Sequence, residues 1–225
     1  MNGILLIDKP RGWTSFDVVA KVRGVVKAKT GLKRPKVGHA GTLDPLATGL
    51  LIILVGDYCK RASEYSKLDK TYEVELRLGQ TSTTDDAEGE ITNVSSQKPS
   101  EEEVGRAINS FLGEISQTPP IFSAIKVDGQ RAYKLARAGK EPEMKARPVT
   151  IYNITDIRYD YPKIIFLTEV SSGTYIRSLV RDIGEKLGTG AYMTGLRRTK
   201  IANFAVEDAI EPRQIIVENI DKSLT

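Results

Sequence analysis

The sequence predicts a mixed, mainly antiparallel α+β fold, and three observations point there. Residues 71–78 alternate strictly, with Tyr72, Val74, Leu76 and Leu78 on one side, which is the strand period. Three other stretches repeat apolar residues at spacings of three and four, the helical period. The candidate strands are joined by turns and loops more often than by helices of crossover length, which disfavours a wholly parallel sheet.

In chain order, residues 3–7 read as a short buried strand that stops at Asp8-Lys9-Pro10. Thr14 or Ser15 caps a helix whose inward positions are Phe16, Val19, Val22 and Val26. The basic stretch 27–36, with Gly31 and Pro35, is expected as loop, and so is the Gly-rich stretch 38–49. Residues 50–55 are uninterrupted aliphatics, a buried strand, and residues 60–68 a short helix. After the alternating strand, residues 80–90 form a polar loop. Ser100 with Glu103 makes a capping box that opens a helix carrying Val104, Ala107, Ile108 and Phe111 on one face.

Residues 122–127 are strand-like and end at Asp128-Gly129, a tight-turn pair. Residues 149–159 and 164–170 pair antiparallel around Asp160-Tyr161-Pro162. Ser172-Gly173-Thr174 leads into a helix with Ile176, Leu179, Val180, Ile183 and Leu187, ending at Gly188, and residues 195–206 hold one more strand. No repeat, linker or low-complexity tract interrupts the chain, so residues 1–225 read as a single domain.

Composition removes several chemistries. One Cys (Cys59) forbids an internal disulfide, and one His beside it cannot complete a zinc site of the usual ligands. A Ser-His-Asp triad could be built only on His39. No apolar run is long enough for a membrane span or a signal peptide, so a cytoplasmic location is expected. Neither a phosphate-binding loop nor a complete dinucleotide fingerprint occurs.

Lys and Arg exceed Asp and Glu by 33 to 29, a net charge of +4 that is mild but unevenly placed. Lys27, Lys29, Lys33, Arg34 and Lys36 crowd one segment, while Asp85-Asp86-Glu88-Glu90 and Glu101-Glu102-Glu103 lie elsewhere. That segregation suggests a basic face and an acidic back; charge solvated all round a globule fits equally well.

Three segments stand out as candidate sites. Gly38-His39-Ala40-Gly41-Thr42-Leu43-Asp44-Pro45-Leu46-Ala47-Thr48-Gly49 leads into the most apolar strand, and Pro45 stiffens the loop at Asp44, although Asp-Pro is also a plain turn starter. Ser171-Ser172-Gly173-Thr174-Tyr175-Ile176-Arg177 puts Arg177 in the first turn of a helix, against the dipole, where a carboxylate such as Asp44 would compensate it. Asp69-Lys70-Thr71-Tyr72 places Tyr72 on the apolar face of its strand, where a plain core aromatic with its hydroxyl at the rim would also sit.

Together these segments resemble the TruB family of tRNA pseudouridine synthases. Residues 3–10 followed by Gly12-Trp13-Thr14-Ser15 are similar to the family's opening motif, residues 38–49 to its catalytic loop, and Lys70-Thr71-Tyr72 to its tyrosine motif. Gln117-Thr118-Pro119-Pro120, Ser123-Ala124-Ile125-Lys126, Gly173-Thr174-Tyr175-Ile176-Arg177 and Leu196-Arg197-Arg198 follow in the family's order. The resemblance implies the pseudouridine synthase fold and isomerisation of uridine to pseudouridine in the T-loop of tRNA, with neither metal nor organic cofactor. Asp44 would be the nucleophile, attacking uracil C6 or ribose C1′; Arg177 would pair with it, and Tyr72 would stack on the uracil. His39 would hold the flipped-out loop, Tyr175 and Leu196 would line the base pocket, and Lys9 and Lys126 would meet phosphates.

The T-arm of tRNA is thus the expected partner, with no membrane and a monomer as default. Family members usually carry a further C-terminal RNA-binding domain, often of the PUA type, and none is expected within these 225 residues. Alternatives are a guide-RNA-dependent synthase subunit, a non-catalytic tRNA-folding chaperone, and a carboxylate glycosidase, the last lacking an identifiable second carboxylate.

Overall fold

The computed structural model describes every residue except 128, 222 and 225. Its strands and helices run β1 (Gly3–Lys9), α1 (Ser15–Thr30), β2 (Val37–Ala40), β3 (Thr48–Val55), α2 (Ala62–Ser66), β4 (Lys70–Leu78), β5 (Gln80–Ser82) and β6 (Ile91–Asn93). They continue α3 (Glu101–Asn109), β7 (Gly113–Gln117), β8 (Lys126–Val127), β9 (Gln130–Arg131), α4 (Ala132–Arg137), β10 (Arg147–Asp160), β11 (Lys163–Val170), α5 (Ile176–Lys186), β12 (Ala191–Ile201) and β13 (Phe204–Ala205). The fold is mixed α+β and mainly antiparallel, as the sequence predicts. It divides into two compact units, one of residues 1–73 and 196–225, the other of residues 74–195, and β4 and β12 contribute to both.

In the first unit β3 is central. β1 pairs antiparallel along one of its edges, from Gly3↔Val55 to Lys9↔Gly49. The other edge is shared: β2 takes it antiparallel at residues 52–55, and β12 takes it parallel at Thr48 and Gly49. Leu50 to Val55 are all buried, which is why the run shows no alternation. Ile4, Ala40, Leu50, Ile52, Leu54, Ile201 and Val206 make one core cluster, with Tyr58, Tyr65 and Phe204 packed against it.

Helix α1 is capped by Thr14, whose hydroxyl accepts the Asp17 amide while the Asp17 carboxylate accepts the Thr14 amide. It runs on to Thr30, because Gly31 adopts a left-handed conformation (φ 71°) and donates to Lys27 O, so Lys27 and Lys29 are helical rather than loop. Its buried face is Val18, Val19, Val22, Val25 and Val26; Phe16 points out instead of in. Residues 37–40 are strand rather than loop, since β3 supplies hydrogen bonds that no local pattern announces.

In the second unit the strand order is β12-β4-β11-β10-β7. β10 and β11 form the expected antiparallel pair, and β7 lines the other edge of β10 from Gly113↔Ile151 to Gln117↔Arg147. Helix α3 has the predicted Ser100–Glu103 capping box. Helix α5 buries Ile176, Leu179, Val180 and Ile183, and Gly184 must lack a side chain because a Cβ there would sit 2.2 Å from Ala191 N.

Several expected boundaries shift. Residues 80–90 include β5, which pairs with β6. Only Lys126–Val127 of the 122–127 stretch is strand, α5 opens at Ile176, β12 begins at Ala191, and a 3₁₀ turn precedes α2. The expected turn at Asp128-Gly129 lies partly outside the described residues.

Candidate active site

In the first unit, residues 41–47 leave β2 at Ala40 and enter β3 at Thr48, with Asp44 at the apex, half-buried. Leu43, Leu46 and Ala47 are buried and root the loop in the core. The peptide groups on either side of Asp44 are held individually. Because Thr14 does the capping, the Ser15 hydroxyl is available to turn inward, where it accepts the Leu43 amide at 2.9 Å and donates to Leu43 O at 3.2 Å. Pro45 O accepts from the Gly12 amide at 2.8 Å, and the Ala47 amide closes a turn onto Asp44 O at 3.1 Å.

Arg198, on β12, straps the loop from behind. Its Nη2 donates to Gly41 O at 3.0 Å and its Nε to Leu50 O at 2.7 Å, so one buried guanidinium ties the loop's entry to its exit. Gly49 lets β12 come this close, since a Cβ there would lie 2.3 Å from Arg198 O. Burial and the neighbouring Arg198 charge lower the Lys70 pKa to about 8, and its ammonium donates to Ser66 O and Leu68 O.

Lys9 corrects an expectation. Its side chain is 0 % exposed, and its ammonium donates to Trp13 O at 2.6 Å, Pro10 O at 3.1 Å and Pro45 O at 3.5 Å. A lysine so enclosed has no surface to offer a phosphate, and it anchors the Asp44 loop instead. The strand period carried the signal, for Leu5, Ile7 and Lys9 share one face of β1.

His39 lies on β2 with its ring edge-on to Phe16 at 6.0 Å and 80°. Its Nδ1 is buried without a hydrogen-bond partner, and burial, then the Arg198 charge, lowers its pKa. Tyr72 is buried on β4. Leu196 is half-buried on β12 and accepts the Thr48 hydroxyl on its carbonyl at 3.4 Å.

In the second unit, Tyr175 and Arg177 stand at the start of α5. Gln117 of β7 fixes the Tyr175 backbone from both sides, accepting its amide at 2.8 Å and donating to its carbonyl at 3.1 Å. Arg177 is buried, and donates from Nη1 to Thr84 O at 3.1 Å and from Nη2 to Phe122 O at 2.9 Å. Asp86 Oδ2 lies 3.6 Å from Nη1, a carboxylate that offsets the cation against the helix dipole. The other Asp86 oxygen accepts the Thr84 hydroxyl at 2.5 Å and the Glu88 amide at 3.0 Å. Asp85 pairs with Arg181 at 3.1 Å.

Asp85 and Asp86 are thus not part of a solvated acidic back. Their signal was the run of hydroxyl residues before them, which turns the chain inward and caps a carboxylate. Lys126 is exposed, on the β8–β9 hairpin. Among the described residues no group of three or more His, Cys, Asp or Glu could hold a metal ion, and no helix is long and apolar enough to cross a membrane.

Residues 27–176 match the sequence profile of the TruB family pseudouridylate synthase N-terminal domain, two thirds of the chain. The chain belongs to the TruB family. Residues 177–220 match the family's tRNA pseudouridylate synthase B C-terminal domain. Proteins named tRNA pseudouridine synthase B from Phocaeicola vulgatus and Clostridium kluyveri are 47 % and 46 % identical to it, over 92 % and 99 % of this chain and 88 % and 75 % of theirs. Among solved structures, a Cbf5-Nop10-Gar1 complex matches with a TM-score of 0.71 at 29 % identity, over 93 % of this chain. The chain spans about half the length of that solved protein (52 %).

Two effects are expected in the first unit. Ser15→Ala leaves the buried Leu43 amide without its partner and costs about 1–3 kcal/mol of stability. With the peptide before Asp44 loosened, kcat falls by about 10- to 100-fold and KM stays near its wild-type value. A loss confined to KM would contradict this.

Burial, then the Arg198 charge, disfavours the protonated form of His39, the chain's one imidazole. Its folded pKa lies below the unfolded value near 6.5, so the unfolded chain binds the proton first and stability falls as pH drops below about 6.5. Urea midpoints at pH 7.5 and 5.5 should separate more for the wild type than for His39→Gln. Equal separations would show that burial of His39 does not couple to folding.

Proposed function

We propose that this chain isomerises uridine to pseudouridine in tRNA, at the T-loop uridine conventionally numbered 55, with Asp44 as nucleophile. The observation that carries the reading is the Asp44 loop, whose peptides are fixed on both flanks by Ser15, Gly12, Lys9 and Arg198. A nucleophile held by its backbone needs no reorganisation when the substrate arrives. The naming of the relatives supports tRNA as substrate.

Chemistry on a stacked base requires that the base leave the stack. The Asp44 carboxylate, ionised at neutral pH, attacks uracil C6 or ribose C1′. The bond from N1 to C1′ breaks, the base turns, C5 bonds to C1′, and the C5 proton is lost as the covalent bond to Asp44 is released. Tyr72 stacks on the uracil, Tyr175 and Leu196 line its pocket, His39 holds the displaced loop and Lys126 meets phosphate. The pairing of Arg177 with Asp44 rests on the family resemblance. We further hold that the chain acts as a single catalytic domain, since both boundaries between its compact units fall inside strands rather than in linkers; the family resemblance alone carries the reading of a cytoplasmic monomer.

The test is tritium release from uracil C5 of an unmodified tRNA transcript, with a second transcript carrying cytidine at the T-loop position. Release from the first and not the second supports both substrate and site. Release from both would move the site elsewhere, and tight binding with no release would favour a tRNA-folding chaperone.

A further inference from the structure

The outer face of α1 carries Phe16, Ala20, Arg23 and Lys27, all exposed and spaced by four, three and four residues, hence one stripe along the helix. Phe16 heads it and is 70 % exposed, the most exposed large apolar side chain among the described residues. Strand β2 runs beside this helix: the His39 ring props the Phe16 ring edge-on, and seven residues further along Arg23 Nη2 donates to Val37 O at 3.0 Å. At the Arg23 end opens a cavity of about 490 Å³, lined by Arg23, Lys33, Arg34 and Lys36 together with Cys59, with no carboxylate in its wall.

A lone apolar side chain on a surface needs no explanation. An aromatic ring kept in water, steadied by a second ring and followed along one helix by a basic cavity, is a different arrangement. It matches the way proteins hold single-stranded nucleic acid, an aromatic face for the base and cations for the backbone. Seven helical residues span about 10 Å, a distance that neighbouring nucleotides of an unstacked strand can bridge.

We propose that Phe16 is a stacking platform for one unstacked base of the substrate RNA, and that the Arg23–Lys36 cavity takes a phosphate of a neighbouring nucleotide. The assignment rests on the tRNA reading above and adds to it a base subsite outside the Asp44 loop. Phe16 sits in the first turn of an exposed helix face, so its replacement leaves the core untouched.

The experiment measures Kd of the full chain for an unmodified tRNA transcript across a salt series, with wild type, Phe16→Ala, Phe16→Leu and Phe16→Trp, and with Lys36→Gln in parallel. Loss of one stacked base raises Kd by about 5- to 150-fold, with the salt slope unchanged. Leu, apolar but without a π face, should bind like Ala, and Trp like wild type. Lys36→Gln should weaken binding and flatten the logarithmic salt slope by about one. Equal affinity of Phe16→Ala and wild type overturns the proposal, and so does Leu matching wild type, which would make the contact merely apolar. Loss of binding to anionic phosphatidylserine vesicles in Phe16→Ala, with RNA binding unchanged, would assign the stripe to a membrane surface instead. Wild type that neither binds nor modifies the transcript would sink the parent reading, whereas an active wild type with an unaffected Phe16→Ala sinks this subsite alone.

Discussion

Asp44→Asn is expected to lower pseudouridine formation by on the order of 10⁴-fold or more while the Kd for tRNA stays within about threefold. The amide has nearly the shape of the carboxylate but is a far weaker nucleophile. Folding should be little affected, because the loop is held through its own peptide groups: Leu43 by Ser15, Pro45 by Gly12 and Lys9, Gly41 by Arg198. A thermal midpoint within a few degrees of wild type, with tritium release at background, is the predicted pair of results. Release at a tenth of the wild-type rate would remove Asp44 from the role of nucleophile. A collapsed midpoint would instead show that the carboxylate itself holds the loop.

Asp86→Ala is expected to show the largest loss of stability, about 3–5 kcal/mol, because it takes a carboxylate away from a buried guanidinium. Both side chains are almost wholly enclosed, at 3 % exposure for Asp86 and 7 % for Arg177, so water cannot replace the missing charge. The substitution also removes one acceptor each from the Thr84 hydroxyl and the Glu88 amide. Asp86→Asn keeps an acceptor for those two groups and should cost less than half as much. A denaturant series read at constant m-value separates the two variants. If Asp86→Ala shifted stability by less than about 1 kcal/mol, the pair with Arg177 would be incidental. Because Arg177 opens α5 beside Tyr175, the alanine variant should also lose activity at temperatures where it remains folded.

Much of this fold was legible because local pattern and burial agree. The aliphatic run of β3, the alternation of β4, the Ser100–Glu103 box and the apolar face of α5 each appear where their spacing places them. What escaped depends on partners distant in sequence. The β2 strand has no periodicity of its own and exists because β3 offers it an edge. Phe16 lies on the exposed side of α1, and the choice of Val18 and Val25 as the buried flank was made by the packing surface.

For the site, Asp44, Tyr72, Tyr175 and Arg177 were legible as candidates from motif order. The groups that hold them were less so. Asp86 reads as one of many loop acids until the turn buries it, and Lys9 reads as a surface lysine until the strand period is followed past the last aliphatic. Arg198 gives no local sign of its task, since both carbonyls that it holds lie some 150 residues upstream (separations of 157 and 148).

That separation has a consequence for the newborn chain. The loop bearing Asp44 leaves the ribosome early, whereas the side chain that ties its two ends together is added 148 residues after Leu50. At about 5–20 residues per second, roughly 7 to 30 s of synthesis pass with the loop unstrapped. The parallel junction of β12 with β3 then closes over it from the far end of the sequence. A truncated or stalled product that stops short of β12 carries Asp44, Tyr72 and Arg177 in full, yet it lacks the strap. The order of the Asp44 loop therefore waits on the synthesis of β12.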